Sequence, residues 1–524
     1  MPERSLPLDY EDVSRSTHPK SWSDAPDPVF AGVDDWQALK RDESDDLVPS
    51  PGRKSEGSSL GSRGISVSSG PIVSADAKIV ADTDAALGAT TRSERARSER
   101  AVIKRGHALS FLCLFLFTAD VYLRPYELIP ALSFLKTSAF WIAFLTLLVY
   151  VPTQLGLEGK LTVKPREVKL VLLLLIAALL SIPLSIDPLK GWNYFLDYVK
   201  VIVMFVIMLN VVRTEKRLRG LVLLMVLSGC LFSVFAVNDY RLGKLILRGQ
   251  RISGIVGGLF QNPNDLSLHL VTMIPLAVAL MLGTRSLLKR SLYSACALLM
   301  ISGVVVTFSR GGFLGLVSAG GVMAWKLGRK NRLAIGLVVP LALVLLIFLA
   351  PSGYGGRLVT TADGSALARQ DDLKRSLFIA LRHPLLGVGM DNYVIYSNSD
   401  HATHNAYTQV AAETGIPALI IYIMFLVTPL RQLGRIERER FAQAQRSGLF
   451  YMTVGLEASL VGYMVSSFFA SVAFLWYAYY LVACAICLRY LYERSASSLA
   501  VGSQRPQKTG NSLYDQRRTL LEKA

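Results

Sequence analysis

The sequence predicts an all-α, polytopic integral membrane protein with about twelve transmembrane helices, and three observations support this fold class. Of the 524 residues, 52% are hydrophobic and only 18% are charged, and the mean hydropathy is +0.39. Soluble proteins carry about 25% charged residues. The apolar residues are concentrated in residues 106–492, in runs close to the roughly 20 residues that a helix needs to cross a bilayer. This distribution excludes a soluble globular fold.

Twelve apolar runs, separated by short loops, are predicted to form the transmembrane helices. They cover approximately residues 107–123, 134–152, 168–186, 194–212, 218–238, 265–283, 291–308, 311–327, 332–350, 410–430, 449–468 and 471–490.

Basic residues cluster in alternate loops, and all these clusters lie on one side of the membrane if all twelve helices form. The positive-inside rule makes that side the cytoplasm and predicts that both termini lie there. Helix orientation therefore explains the net charge of +17, and no nucleic-acid partner is predicted. The clusters lie at residues 160–169, 213–219, 285–290, 326–332 and 431–446.

Residues 1–105 differ in composition from the membrane region, because they are acidic over residues 8–46 and basic towards their end. Such a segment cannot bury enough apolar surface to offset chain entropy. We therefore expect a disordered cytoplasmic N-terminal tail without a signal peptide, a transmembrane domain over residues 106–492, and a disordered C-terminal tail over residues 493–524. The five cysteines fall in apolar segments, which predicts packing rather than disulfides.

Two loops on the predicted outer side are unusual. The first covers about residues 239–264, and the second covers about residues 351–409, between the ninth and tenth predicted helices. The second is far longer than a helix connection requires, and long ordered loops are usually functional. Both carry basic residues on the outer side, against the rule that orients the other loops, which indicates an anionic ligand. These residues include Arg248 and Arg251 in the first loop and Arg369 and Arg382 in the second.

The second loop ends in the histidine pair His401 and His404. Histidine is the side chain best suited to accept and donate protons near neutral pH. His404, at the mouth of a helical bundle, is therefore a candidate to deprotonate a sugar hydroxyl. The alternative is a loop histidine that is hydrogen-bonded to solvent. Metal binding by the pair is not predicted, because no third ligand stands at a convincing spacing.

Arg310 stands between Ser309 and two glycines, at the outer end of one predicted helix and the start of the next. A guanidinium pairs bidentately with phosphate. Ser309 can cap the second helix, and the exposed amides of that helix end suit the same anion. The alternative is an arginine that extends to lipid headgroups. Arg248 and Arg251 are likewise candidates to bind phosphate. The alternative is that they belong to an amphipathic stretch at the membrane interface.

The segment Asn262-Pro-Asn264-Asp265 has the residues of a turn and a helix cap. Its simplest role is structural, with Asn264 or Asp265 starting the helix at Leu266. His269, one turn inside that helix, is expected to face a polar cavity or to hydrogen-bond across helices, because polar groups in a membrane usually face the bundle interior.

Four short motifs, within about residues 250–420, together resemble the O-antigen ligase/polymerase family of bacterial envelope proteins. The hydropathy pattern extends the resemblance over the membrane region, whereas the acidic tail is not part of it. The motifs are Arg251-Ile-Ser-Gly-Ile with Leu-Phe-Gln-Asn-Pro-Asn-Asp265, Thr307-Phe-Ser-Arg-Gly-Gly312, Arg382-His-Pro-Leu-Leu-Gly-Val-Gly389, and His404-Asn-Ala-Tyr with Glu-Thr-Gly-Ile-Pro417.

The resemblance implies a metal-independent, inverting glycosyltransferase of the bacterial inner membrane that needs no cofactor. Such an enzyme takes a glycan from undecaprenyl pyrophosphate on the extracytoplasmic side and passes it to a hydroxyl of another glycan or of the lipid A core. The products would be O-antigen or exopolysaccharide chains.

The resemblance also implies roles for individual residues. His404 would be the base or orienting group at the acceptor hydroxyl, and Arg310 and Arg251 would hold the pyrophosphate. Arginines placed at the leaving group stabilise the charge that develops there. The other expected substrate-binding residues are Arg248, Arg369, Arg382, Asn262, Asn264 and Asn405.

The sequence leaves polymerase and ligase open, and we favour a polymerase because nothing identifies a lipid A core acceptor. The alternative class is a transporter of a small anion or of a lipid-linked glycan, which twelve spans suit. However, the two halves show no convincing repeat, and the ionisable residues cluster at one membrane face. A scaffold would leave the long outer loop unexplained, although the cytoplasmic tail is available to recruit other polysaccharide-assembly proteins.

Overall fold

The computed structural model describes residues 107–244, 246–247, 251–252, 262–328, 364–397, 402–442 and 447–503. All of them belong to one compact unit, Ala81–Ala524. The predicted N-terminal tail, the predicted span at 332–350, Arg248 and His401 lie outside the described residues. For Arg251 only the backbone is described.

The first half of the membrane region consists of six α-helices and two 3₁₀ segments. These are α1 (Ala108–Leu123), α2 (Pro125–Leu128), a 3₁₀ helix (Pro130–Thr137), α3 (Ser138–Glu158), α4 (Arg166–Ser181), a 3₁₀ turn (Ile182–Leu184), α5 (Pro188–Val211) and α6 (Glu215–Arg241).

The second half begins with a two-residue antiparallel ladder in which β1 (Ile246–Leu247) pairs with β2 (Arg251–Ile252). The helices that follow are α7 (Pro263–Gly283), α8 (Leu287–Val306), α9 (Arg310–Leu327), α10 (Gly364–Arg382), α11 (Tyr393–Tyr396), α12 (Ala406–Thr414), α13 (Ile416–Ala442), α14 (Gly448–Ser466) and α15 (Trp476–Ser503), with a 3₁₀ turn at Ser467–Phe469.

The all-α, polytopic membrane architecture is confirmed. Within the described residues, nine helical segments are long and apolar enough to cross a bilayer. The spans predicted at 311–327 and 471–490 also form helices, α9 and α15, but glycines in α9 and tyrosines in α15 lower their hydropathy. α15 continues to Ser503, past the predicted domain boundary at 492.

Proline and capping residues begin two helices earlier than the apolar pattern predicts. The Asp187 carboxylate accepts from the Lys190 N–H (3.0 Å), and Pro188 takes the first position of α5. The side chain of Asn262 likewise accepts from the Asn264 N–H (3.0 Å). The expectation that α7 starts at Leu266 is therefore wrong, because a proline at the first helical position lacks only an N–H that has no helical partner.

The predicted long outer loop also contains regular structure. α10 and α11 form within it, and the predicted span at 410–430 is divided into α12 and α13. The break falls at Gly415, whose φ of 94° is accessible to glycine and rarely to other residues. A Cβ at this position would overlap the carbonyl of Leu385, so a glycine is also required by close backbone packing.

α7 lies at the centre of the bundle and packs against α6, α8, α9 and α14. Small residues allow the closest of these contacts. A Cβ on Gly455 of α14 would lie 2.6 Å from the Cβ of Ala279, and the Ser459 hydroxyl donates to the carbonyl of Thr272 (2.7 Å). Close backbone approach through small residues is the usual basis of helix association in lipid, where apolar burial gives little driving force.

The basic loops meet at one end of the bundle, which we call the basic end and define by Arg213, Lys326 and Arg489. Arg213 pairs with Glu158 (3.0 Å), and Lys326 pairs with Glu457 (2.9 Å). Arg489 pairs with Glu167 (3.2 Å), and further ion pairs lie nearby. The basic residues that were predicted to cluster at one face thus lie together at one end of the helix bundle.

Candidate active site

The four sequence motifs lie at the opposite end of the bundle. We call this the motif end and define it by the residues that cap α5, α7 and α12 and that begin α9: Asp187, Asn262, Asn405 and Arg310. α5 and α9 each run from this end to the basic end, where Arg213 and Lys326 lie.

The first two motifs are joined by a buried hydrogen bond. The Ser309 hydroxyl donates to the side-chain oxygen of Asn264 (2.8 Å). The same hydroxyl accepts from the Gly312 N–H (3.2 Å), which confirms the predicted cap of α9. Asn262 and Asn264 therefore hold the start of α9 against the start of α7, and so fix the backbone position of Arg310.

The two glycines after Arg310 are packing residues. A Cβ on Gly312 would overlap the side chain of Ser267, and one on Gly311 would lie 2.6 Å from the Cβ of Phe469. Both glycines are buried. The Gly312 N–H donates to the Ser309 hydroxyl, so the expectation that the amides of this helix end are exposed to a phosphate is wrong for this amide. The side chain of Arg310 is half-buried.

The third and fourth motifs also pair with each other. The Val388 N–H donates to the carbonyl of Ala412, and the Gly389 N–H donates to that of Glu413 (both 2.9 Å). Gly387 has a φ of 66°, and a Cβ there would overlap the backbone of Glu413. The glycines of this motif thus allow the loop to lie directly on α12.

Asn392 attaches the same loop to α5. Its side-chain oxygen accepts from the Asp187 N–H (2.9 Å), and its amide nitrogen donates to the Asp187 carbonyl (3.1 Å). Lys190, in the first turn of α5, pairs with Asp391 (3.4 Å). The long loop is therefore fixed to two helices at the motif end.

His404 lies at the start of α12 in a left-handed backbone conformation, with a φ of 51°. The following residue, Asn405, caps α12 by accepting from the N–H groups of Tyr407 (2.8 Å) and Thr408 (3.1 Å). The amide nitrogen of Asn405 is buried, and none of the described residues accepts a hydrogen bond from it. The imidazole of His404 is half-buried. A rigid cap thus fixes the position of the backbone that carries this ring.

The residues next to Arg310 and His404 contact one short turn, residues 467–471. Phe469 of this turn packs on Gly311, next to Arg310. The Ser471 hydroxyl lies 3.0 Å from that of Thr403, next to His404. The structure therefore brings the two predicted catalytic residues to the same end of the bundle, around the same short segment.

The remaining predicted arginines, Arg251, Arg369 and Arg382, differ in how their elements connect to this part of the bundle. Arg251 lies in β2, whose backbone pairs with β1 and contacts α6. At the end of α6, the ring of Tyr240 lies 5.9 Å from that of Phe308, two residues before Arg310. Arg369 is half-buried in α10 and Arg382 is exposed at its end, and α10 packs against α12.

The four non-glycine residues with positive φ among the described residues all lie at the motif end. Such a conformation costs about 1–2 kcal/mol per residue, and strained residues cluster at functional sites. Three of them belong to or adjoin the motifs. They are Arg124, Phe308, Asp391 and His404.

Glu413, which is fully enclosed on α12, was not among the predicted site residues. Burial raises the pKa of its carboxyl to about 8, although the Asp391 N–H and the Gln409 side chain hydrogen-bond to it and Lys190 lies near it. One carboxylate oxygen of Glu413 has no hydrogen-bond partner within the part of the chain that the structure describes. Gln409 and Glu413 are four residues apart and so share one face of a helix, but this spacing does not distinguish Glu413 from an ordinary helix carboxylate.

Replacing Glu413 by glutamine is expected to flatten the pH dependence of stability. The ordinary pKa is 4.5 and the folded one about 8, so the folded state retains the proton over this interval. Wild-type stability should therefore fall as the pH rises from about 4.5 to 8, by on the order of 1 kcal/mol per pH unit. Thermal melting of the purified protein between pH 5 and 8.5 measures this slope.

The exposed Asp371, on α10, supplies the control as Asp371→Asn, which should keep the wild-type slope. An unchanged slope in Glu413→Gln would show that this carboxyl does not hold a proton in the folded protein.

His269 satisfies one of its two predicted roles. It is fully buried, and its Nε2 lies 3.4 Å from the hydroxyl of Ser228 on α6, so it makes the predicted contact across helices. The rings of Tyr122, Trp476 and Tyr477 surround it at 5.7–6.0 Å. It is a packing residue beneath the motif end.

No group of three or more potential metal ligands occurs in the part of the chain that the structure describes.

The fold and the site together define a multi-pass membrane protein with a polar, motif-bearing site at one end of its helix bundle. Residues 295–423 match the model of the O-antigen ligase family. This match confirms the resemblance to the O-antigen ligase/polymerase family that the motifs predict, and it indicates a glycosyltransferase-like enzyme. The matched segment contains Arg310, Arg369, Arg382 and His404. No curated protein matches the chain.

Proposed function

We propose that the protein is a glycosyltransferase that moves a glycan from undecaprenyl pyrophosphate to an acceptor sugar hydroxyl, in the polymerisation or ligation of O-antigen or exopolysaccharide. The observation that supports this proposal is the placement of Arg310 and His404 around the turn at residues 467–471. A cation that binds diphosphate and a base that accepts a hydroxyl proton are the two groups this transfer requires.

The separation of the two ends supports an orientation of the protein in the membrane. The basic end carries the clustered lysines and arginines, so the positive-inside rule assigns it to the cytoplasm. The motif end then faces the extracytoplasmic side of the bacterial inner membrane. Both termini lie in the cytoplasm on this assignment, and the site meets its donor in the outer leaflet of that membrane.

The reaction consists of one displacement at the anomeric carbon. The acceptor oxygen forms a bond to this carbon, while the bond between the carbon and the diphosphate oxygen breaks on the opposite face, which inverts the configuration. The acceptor proton passes to the imidazole of His404. The electron pair of the broken bond stays on the diphosphate, where Arg310 and Arg251 stabilise the developing charge. General-base help of this kind contributes about 10²–10⁴-fold to a rate.

The other predicted binding residues divide into two groups. Arg248, Arg369 and Arg382 supply positive charge around the donor and the growing glycan. Asn262 and Asn264 act through their hydrogen bonds, which fix the start of α9 and so position Arg310. Asn405, also predicted to bind substrate, holds the start of α12 and so positions the neighbouring His404.

The lipid-linked glycans of a deletion strain test the proposed function. A polymerase deletion should accumulate single repeat units on the carrier, and a ligase deletion should accumulate full-length polymer on it. We expect single repeat units. A profile identical to that of the parent strain would contradict both versions of the proposal.

Transfer by the purified enzyme is expected to survive removal of divalent ions with a chelator, because arginines neutralise the leaving group. A metal-dependent nucleotide-sugar transferase treated in the same way is the control, and it should lose its activity. A strict metal requirement of the purified protein would contradict the role given to Arg310.

A further inference from the structure

A small cavity lies at the basic end, where the start of α6, the end of α7, the first turns of α8 and the start of α14 meet. Its volume is about 200 Å³. This is smaller than the roughly 300–1,000 Å³ of a typical small-molecule site, so it suits one part of a larger ligand. We call it the interface cavity and define it by Arg219, Gly220, Leu223, Lys289, Tyr293 and Met452, which line it.

Positive charge is in excess at the interface cavity. Arg219 and Lys289 line it, and no carboxylate of the described residues does. Lys289 is exposed and forms no ion pair within the described part of the chain, and the same holds for its neighbours Arg285 and Arg290. Arg219 pairs with Glu215 (2.7 Å), but both side chains are about half exposed, and such a pair holds its partners weakly. The charges around the cavity therefore favour an anion.

Two glycines position the guanidinium of Arg219 at the interface cavity. A Cβ on Gly448, the first residue of α14, would lie 2.5 Å from Nη2 of Arg219. A Cβ on Gly283, the last residue of α7, would lie 3.2 Å from the Cα of Gly448. The two glycines thus let α7 and α14 touch and let the guanidinium pack on the backbone of α14. Helix packing therefore fixes this cation, unlike an arginine that is surrounded by solvent.

Apolar side chains continue from the interface cavity to the lipid-facing surface. Leu223 and Met452 line the cavity, and Leu227, one turn further along α6, has 50% of its area exposed. Leu287 and Leu288, in the first turn of α8, are each 80% exposed. In a bilayer these leucines lie in hydrocarbon, while the lysines and arginines beside them extend to the headgroups. The cavity therefore lies at the boundary between the headgroups and the hydrocarbon.

Gly220 leaves open space in the wall of the interface cavity. A Cβ at this position would have no heavy atom within 4 Å. A glycine in a helix interior is less stable than alanine by about 1 kcal/mol. Gly448 and Gly283 are required by close contacts, whereas the packing of the described residues does not require a glycine at position 220. The space beside Gly220 is therefore available to a ligand.

We propose that the interface cavity binds an anionic glycerophospholipid, such as phosphatidylglycerol. The phosphate lies at Arg219 and Lys289, the glycerol lies beside Gly220, and one acyl chain follows α6 along Leu223 and Leu227. A phospholipid fits this position better than a free phosphate, because the cavity combines cations with an apolar path to the bilayer. The bound lipid holds the ends of four helices together. This role is independent of the reaction proposed at the motif end.

Native mass spectrometry of the full-length protein in detergent tests the lipid site. The probes are phosphatidylglycerol and phosphatidylcholine with identical acyl chains. The wild type should retain phosphatidylglycerol at least about tenfold more tightly. Lys289→Gln should weaken this binding about fivefold, as expected for one basic residue at an anionic lipid. Gly220→Leu, which fills the open space, should abolish the preference for phosphatidylglycerol.

Two control variants match these changes. Lys169→Gln removes an exposed lysine at the basic end that does not line the interface cavity, and Gly156→Leu fills open space around a helix glycine of α3. Both should retain phosphatidylglycerol like the wild type. Equal retention of the two lipids by the wild type, or unchanged retention of phosphatidylglycerol by Gly220→Leu, would overturn the proposal. Displacement of phosphatidylglycerol by an equal concentration of glycerol phosphate would identify a site for free anions and overturn it too.

Thermal melting separates loss of the site from damage to the fold. Phosphatidylglycerol should raise the melting temperature of the purified wild type, because a ligand of the folded state stabilises it by mass action. Without added lipid, Gly220→Leu should melt no lower than the wild type, since leucine is a better helix former than glycine. Its melting temperature should not respond to phosphatidylglycerol. A rise as large as that of the wild type would contradict the lipid site.

Discussion

Replacement of His404 by alanine is expected to abolish glycan extension, while the protein remains abundant and inserted in the membrane. The imidazole accepts the acceptor proton, and loss of a general base lowers rates by about 10²–10⁴-fold. Polymer length in cells that carry the variant and transfer by the purified enzyme both measure this effect.

The backbone of His404 allows a sharper version of the experiment. Its φ of 51° lies in the left-handed region, which asparagine tolerates better than most residues. His404→Asn therefore removes the imidazole while it keeps the backbone conformation, and it should be as inactive as His404→Ala. His383→Ala is the matched control, because His383 is also a half-buried histidine at the motif end. Normal polymer in His404→Asn would remove His404 from the mechanism.

Replacement of Arg310 by lysine is expected to weaken use of the donor although the charge is retained. The planar guanidinium binds two phosphate oxygens at once, whereas an ammonium group acts as a point charge. Lysine suits the first position of α9 as a helix former, so the fold should be preserved. We expect the KM for the lipid-linked donor to rise by at least about tenfold, equivalent to the loss of one charge-assisted hydrogen bond.

Arg251→Lys should behave similarly if both arginines contact the diphosphate. Arg285→Lys, an exposed position in a basic loop, is the control and should leave the KM unchanged. An unaltered donor KM in Arg310→Lys would indicate that this arginine contacts lipid headgroups instead.

The membrane architecture was predictable because hydrophobic length and charge placement act locally. Each apolar run is stable only as a helix in lipid, where backbone groups must bond within the segment. Most predicted spans, such as 218–238 within α6, therefore agree with the structure to within a few residues. The errors fall at helix starts, where Asp187 and Asn262 act as caps that hydropathy does not register.

The candidate site was predictable in part. Side-chain chemistry made His404 and Arg310 candidates, with a solvent-bonded histidine and a headgroup-bound arginine as the alternatives, and the family resemblance implied their roles. The roles of neighbouring residues were harder to predict from the sequence. Gly311 and Gly387 allow close packing against residues that are far away in the chain. Glu413 was missed for the same reason, because only its enclosure by the Gly387–Asp391 loop and α5 distinguishes it from an ordinary helix carboxylate.

The amino-acid sequence by itself determined that this chain crosses a membrane many times, with its positive charge at one end and its motifs at the other. Those properties depend on how each segment is solvated, and the amino-acid composition of the segment itself determines its solvation. Only the tertiary structure decided that Asn264 meets Ser309 and that the third motif lies on α12. Such contacts join residues separated by dozens to hundreds of positions, and they arise from helix packing.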